Sequence, residues 1–391
     1  MITTRFFNYL LLATVLFVSI TACKKQKSDP SITSIYATEG YTGDTITLKI
    51  KNFPKDLSLA KFTINNTPAS VIMATQDTIR LIVPLKSGSG VVAATINGHT
   101  YTGPVFTYKK TAIVTTVAGT GYAGFNDGAG MSAAFNYPIG IATDNKGYLF
   151  IADSYNSLIR KISLETGNVS SFRIKLNNFC CPYDIAVDPV THDVYATNFN
   201  SRVMRMDSSG NASVIFEEQG ALSGIALSPD RKNLYICNTI SGTITKMGTD
   251  GSNPQVFCSG ILNPRSLIFD PNGKMYVAAY PYAIYSVSAD GKLSPAVNAP
   301  NFKGWEIARD ASGNFYMADH YANNILMSDP NGIFLNIIAG SGKPEDIDGT
   351  GLKASFDHPT GLAIDKDGNL YISTYNFDTQ GGNKIRKITF Q

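Results

Sequence analysis

"GIATDNKGYLFIADS" at residues 140–154 and "GLAIDKDGNLYISTY" at 361–375 are one pattern written twice: an apolar run, a turn centred on aspartate, and a second apolar run with an aromatic at its middle. Four more copies lie between them: "DIAVDPVTHDVYATN" (184–198), "GIALSPDRKNLYICN" (224–238), "SLIFDPNGKMYVAAY" (266–280) and "EIARDASGNFYMADH" (306–320). Registered on Ile141, Ile185, Ile225, Leu267, Ile307 and Leu362, they follow one another at intervals of 44, 40, 42, 40 and 55 residues. Internal repetition at this period marks an architecture of stacked supersecondary units.

Each unit reads as strand, turn, strand, and a small sheet cannot bury both of its faces alone. Stacking six such sheets around an axis buries them, so residues 112–391 are expected to form a six-bladed β-propeller. The aspartate three residues past each register position (Asp144, Asp188, Asp270, Asp310 and Asp365, with Ser228 in the third unit) suits a tight turn. Its carboxylate can accept from backbone N–H groups two residues on, which makes these aspartates structural. Phe150, Tyr195, Tyr235, Tyr276, Tyr316 and Tyr371 recur with the core period and read as packing between blades. "IVTTVAG" (113–119) precedes the first unit and "KIRKITF" (384–390) ends the last, so the first strand is expected to complete the final blade and close the ring.

The segment 118–162, "AGTGYAGFNDGAGMSAAFNYPIGIATDNKGYLFIADSYNSLIRKI", resembles an NHL repeat, and 339–375 repeats it at a constant offset of 221 residues. Asp127 and Asp348, Phe135 and Phe356, and Ile141 and Leu362 are matched pairs at that offset. The middle four units keep the strand pattern and lack the Gly-rich insert.

Ahead of the repeats, residues 30–110 alternate in short runs such as "TITLKIKNF" (45–53), "TIRLIVP" (78–84) and "GVVAATING" (90–98), separated by Gly, Asn and Pro. Period-two alternation with such punctuation predicts a small β-sandwich. "PSITSIYATEGYTGDTITLKIKNF" (30–53) resembles the IPT/TIG family of immunoglobulin-like domains, a likeness that implies a spacer or interaction module. The fold class expected for the whole chain is therefore all-β, an immunoglobulin-like β-sandwich followed by a propeller.

At the N-terminus, Arg5 precedes an apolar run from Phe6 to Ile20, with small residues ending at Cys23. That order is a secretory signal, and the run is shorter than the roughly 20 apolar residues of a membrane span. Ile20, Thr21, Ala22 and Cys23 resemble the lipobox of bacterial lipoproteins, which implies a signal peptide at 1–22, a lipid on Cys23 and a polar linker at 23–29. The expected address is the cell envelope, anchored to the outer membrane, with the face left open. Residues 1–111 hold 12 Lys/Arg and 5 Asp/Glu, leaving 21 and 25 for the propeller. A mildly acidic propeller is a poor surface for nucleic acid, which needs a basic stripe.

In a propeller, the loops entering each inner strand and those joining the second and third strands open on one face. There they place Tyr137, Tyr183, Arg265, Tyr280, Trp305, Glu306, His320, Tyr321, His358 and Tyr375, which we take as the candidate ligand-binding residues. Aromatic rings, amides and a single Arg suit a glycan or a protein surface. The competing reading has such aromatics plugging the channel or closing loops over the core.

No catalytic residue, metal or cofactor is assigned. His99 falls in the first module and His192 in a turn on the other face, so only His320 and His358 can meet at the rim, too few for the three-histidine zinc site of an NHL-type amidating lyase. The oxygen set of the lactonase group is imitated weakly by Asn136, Asn200, Glu306 and Asp319. The functions weighed are an envelope protein binding a glycan or protein, a metal-dependent extracytoplasmic hydrolase or lactonase, and a structural scaffold. Adjacent Cys180 and Cys181 read as two small buried apolar residues, ahead of a vicinal disulfide. Cys237 and Cys258 are expected on non-adjacent strands and unbridged.

Overall fold

The computed structural model describes residues 28–84, 87–172, 180–199, 201–270, 272–281, 283–299, 302–333, 335–377 and 381–391. The signal segment and Cys23 lie outside the described residues. The chain divides between Lys109 and Lys110 into two compact units, and the helical content of the described residues is three short 3₁₀ turns at Gly130–Ser132, Ser154–Asn156 and Gly351–Lys353.

In the first unit, strands hydrogen-bond in the order Ser31–Tyr36, Thr45–Lys51, Thr78–Ile82, Thr67–Ala74, Lys61–Ile64, Gly90–Ile96, His99–Tyr108 and Glu39–Gly40. Alternate residues of these strands, including Ile46, Leu48, Ile64, Ile79, Leu81, Val92 and Phe106, form one buried core. Thr67–Ala74 joins the two halves, pairing Thr67–Ala69 with Lys61–Ile64 and Ser70–Ala74 with Thr78–Ile82. Its side chains are mostly exposed, so no alternation announces it.

In the second unit six antiparallel blades form the ring. Their inner strands are Pro138–Thr143, Pro182–Val187, Leu222–Leu227, Pro264–Phe269, Glu306–Arg309 and Pro359–Ile364. Blade 6 is completed from the other end of the sequence, because Ala112–Ala118 pairs with Gly382–Phe390. This closure, expected from the sequence, gives the last blade its outer strand and leaves the ring with only the short outer edges of its blades. Asp144 Oδ1 accepts from the N–H groups of Lys146 and Tyr148 at 2.8 and 3.0 Å, and Asp270, Asp310 and Asp365 repeat the turn. The aromatic of each unit is buried in the core.

Candidate ligand site at the channel mouth

Four inner strands open with the same device. Tyr137–Pro138, Cys181–Pro182, Asn263–Pro264 and His358–Pro359 each begin a strand with proline, and the residue ahead has φ of 62°, 57°, 49° and 53° respectively. Proline already removes its predecessor from the helical region, and a left-handed conformation at a non-glycine residue costs about 1–3 kcal/mol. The surroundings hold it there. Asn383 Oδ1, from blade 6, accepts from the Tyr137 N–H at 2.9 Å, and Asn323 Oδ1, from blade 5, accepts from the His358 N–H at 3.0 Å. In both cases the clamp comes from the preceding blade, so closure of the ring is what sets the rim.

Nine of the ten candidate residues converge, and the tenth, Glu306, pairs with Asp184 beneath them. Trp305 lies 5.0 Å from His320, 6.0 Å from Tyr183 at an interplanar angle of 18°, and 6.4 Å from Tyr375. Tyr375 packs on Tyr137, which stacks on Tyr155 at 4.4 Å. His320 contacts His358 and Tyr321 at 5.0 and 4.9 Å, and the Arg265 guanidinium lies over Trp305 at 5.0 Å and Tyr280 at 5.7 Å. Exposure grades across this cup: Tyr375, His320 and Tyr183 are buried as a floor, while Tyr321 at 55% and Phe377 at 65% form a rim. The plugging role therefore falls to the floor residues.

Burial shapes the floor's electrostatics. It lowers the His320 imidazole to about 4, with His358 adding to the effect, so His320 is neutral at pH 7. Burial also raises the phenols of Tyr137 and Tyr375, which are hydrogen-bonded to each other.

Asp184 was not among the candidates, yet it lines the channel beneath them. At the position before each register residue the six blades carry Gly140, Asp184, Gly224, Ser266, Glu306 and Gly361. The glycines are there because the inner strands crowd: a Cβ on Gly361 would lie 2.1 Å from the Ile139 carbonyl oxygen, and one on Gly140 2.6 Å from Asp184 Cα. Asp184 Oδ1 accepts from the Ile185 N–H at 2.8 Å and Oδ2 from the Ile225 N–H of the next blade at 2.9 Å. Glu306 likewise accepts from the Leu362 N–H of its next blade and is hydrogen-bonded to Asp184. Burial first, and the neighbouring carboxyl second, push Glu306 well above the usual carboxylate range, and burial pushes Asp184 up to about 7. Two carboxyls in contact share a proton rather than ionise together. Comparing the six units at that single position would have exposed the pair.

Among the described residues no three or more His, Cys, Asp or Glu stand together as metal ligands. Of the weak oxygen set, Glu306 is engaged with Asp184, Asp319 Oδ1 accepts from the Ala322 N–H at 3.1 Å, and Asn200 lies outside the described residues. His358 Nδ1 is 2.8 Å from Asp357 Oδ1.

Two further features border the cup. Cys180 and Cys181 are joined as a disulfide and are half-buried, which corrects the expectation of two buried free thiols. The left-handed turn at Cys181 brings the adjacent sulfurs together at the surface rather than in the core. Cys237 and Cys258 are buried and free, as expected. Beyond Arg265, a groove of about 620 Å³ runs between the loops Thr239–Gly242 of blade 3 and Gly260–Asn263 leading into blade 4.

The fold defines a six-bladed β-propeller with a candidate ligand site at its channel mouth, preceded by an immunoglobulin-like domain. Residues 30–108 match the IPT/TIG domain and residues 135–162 the NHL repeat, so this chain joins an IPT/TIG domain to a six-bladed propeller whose first blade carries an NHL repeat. A structural genomics protein of unknown function from Bacteroides thetaiotaomicron superposes with a TM-score of 0.64 at 20% identity, covering 94% of this chain and 99% of that one. An auxiliary nutrient binding protein from the same organism gives 0.59 at 19% identity, covering 92% and 98%. Protein SUPPRESSOR OF QUENCHING 1, chloroplastic, from Arabidopsis thaliana is 24% identical over 298 residues, 67% of this chain and 26% of that protein. The chain spans about a quarter to just under half the length of the curated relatives it matches.

Proposed function

We propose that this protein is a non-catalytic binding protein of a bacterial cell envelope, held to the membrane by lipid on Cys23, and that it recognises a glycan or a protein partner with the cup on the propeller's loop face. The observation that carries this reading is the convergence of Trp305, Tyr137, Tyr155, Arg265 and His358 on one half-exposed surface. Rings that present a face to solvent and keep their polar edges hydrogen-bonded suit the C–H faces of sugars and the side chains of a protein. The auxiliary nutrient binding protein with the same fold across both domains supports the reading. The carboxyl pair is spent on backbone N–H groups and on itself, which favours binding over hydrolysis.

Binding isotherms of the full chain in detergent, against panels of polysaccharides and purified envelope proteins, test the proposal. A ligand from either panel is expected, with Trp305→Ala weakening it at least tenfold; a blank on both panels would sink the reading. Cys23→Ser is expected to move the protein from the membrane to the soluble fraction and to remove the acyl mass, and an unmodified Cys23 in the membrane-purified protein would overturn the anchor.

A further inference from the structure

Arg265 differs from the other described arginines of the propeller. Arg160, Arg202, Arg205, Arg231, Arg309 and Arg386 each hold a carboxylate within ion-pair distance, and among the described residues Arg265 holds none. Its Nη1 donates to the Tyr183 hydroxyl at 3.1 Å, its Nε is buried without a hydrogen-bond partner, and its plane rests on Trp305 and Tyr280. A guanidinium positioned by rings, with donors to spare, is a preorganised receptor for a planar anion, because its fork matches a carboxylate in bidentate fashion.

The surroundings indicate what carries that carboxylate. Arg265 forms the inner end of the groove between blades 3 and 4, whose volume of about 620 Å³ falls in the range of small-ligand sites. Thr239, Ser241 and Asn263 offer hydroxyl and amide groups there, and Ile240 and Leu262, each about three-quarters exposed, offer apolar flanks. On the blade 3 side the groove is walled by a loop whose backbone donors are in use: the Ile240 and Ser241 N–H groups bond to Asn238 Oδ1 and the Gly242 N–H to the Asn238 carbonyl. A peptide laid along it would find no free strand edge to pair with. The propeller's acidic balance of 21 Lys/Arg against 25 Asp/Glu opposes a polyanion far more than a ligand with one carboxylate, whose charge Arg265 alone can meet.

We propose that the cup takes a saccharide bearing a single carboxylate, seated on Arg265, with neutral sugars running outward along the groove. This rests on the binding function proposed for the cup.

Titrating the full chain with an aldobiouronic acid, one glucuronate linked to one neutral sugar, and with the same disaccharide reduced to the alcohol at its carboxyl, tests the assignment. The acid is expected to bind at least tenfold tighter than the neutral sugar. Arg265→Ala is expected to erase that preference, bringing the acid's affinity down at least tenfold to that of the neutral sugar. Arg265→Lys, which keeps the charge and loses the fork, is expected to lose most of it, with thermal melts confirming that both variants fold. Equal binding of the two sugars, or an acid preference that survives Arg265→Ala, overturns the carboxylate assignment and leaves the cup as a glycan site. A blank for both sugars overturns the assignment, and if a short peptide with a free C-terminal carboxylate binds instead, the cup belongs to a protein partner.

Discussion

Arg386 is completely buried and its Nη1 donates to Asp346 Oδ1 at 2.7 Å, while its Nη2 reaches Asp348 at 2.8 Å. In blade 1 Arg160 makes the same arrangement with Asp153 and Asp127, at 2.7 and 2.8 Å. Each arginine also lies over a buried ring, Phe356 or Phe135, and donates to a carbonyl of its Gly-rich insert, Ser355 or Ala134. The two inserts are therefore pinned to their blades by a buried cation. Removing one member of a buried pair strands the other, at a cost of about 3–5 kcal/mol. Arg386→Met is accordingly expected to destabilise the propeller by that amount, read as a shift in the urea midpoint, and a loss below about 1 kcal/mol would show that the clamp is dispensable.

The carboxyl pair in the channel predicts an alkaline weakness. Asp184 and Glu306 hold their shared proton more tightly in the folded protein than in the unfolded chain. The folded state thus binds more protons above the ordinary carboxylate range, and stability falls as pH rises through about 7. The slope approaches about 1.4 kcal/mol per pH unit for one proton. Glu306→Gln keeps a donor beside Asp184 and removes the shared proton. Its thermal stability is expected to change less than the wild type's between pH 6 and pH 9, and parallel curves would contradict the pairing.

His320 acts in the opposite direction. Its pKa is lowered to about 4 from 6.5, so between those values the unfolded chain binds the extra proton and stability rises with pH. Trp305, the single tryptophan of the chain, is 5.0 Å from His320, and a charged imidazole at that distance should quench its emission. Trp305 fluorescence is expected to be flat from pH 8 to pH 5.5 and to titrate with a midpoint near 4, a step that His320→Gln removes. A midpoint near 6.5 would place His320 in solvent.

The Cys180–Cys181 disulfide fixes a thiol count. Alkylation under denaturing conditions is expected to modify only Cys237 and Cys258 within residues 112–391, with two further sites appearing after reduction. Four reactive thiols before reduction would show the pair to be reduced.

The pairs matched at the constant offset of 221 included Asp127 and Asp348, and Phe135 and Phe356, but not the arginines that bind them. Arg160 and Arg386 are 226 residues apart, not 221, because blade 6 carries a longer turn before its third strand. Likewise Thr67–Ala74 has no alternation to betray it, since both of its faces are largely in solvent.

Some things the sequence determined by itself. Six copies of one strand-turn-strand pattern, each with an apolar face it cannot bury alone, leave a ring of blades as the solution, and the leftover run at 113–119 has its mate at 384–390. The type of residue around the channel mouth was equally local, because loops of known order open on one face. What the tertiary structure decided is which of those residues touch. Asp184 and Glu306 are 122 positions apart, and Arg265 and Tyr183 are 82 apart; each pair meets only when the ring closes to its final diameter. Glycines at three of the six inner positions, Gly140, Gly224 and Gly361, permit that diameter, because a Cβ there would come within 2.1–2.8 Å of a neighbouring inner strand. Periodicity reports what each blade needs from its neighbours, whereas a site at the axis depends on how far all six are able to approach.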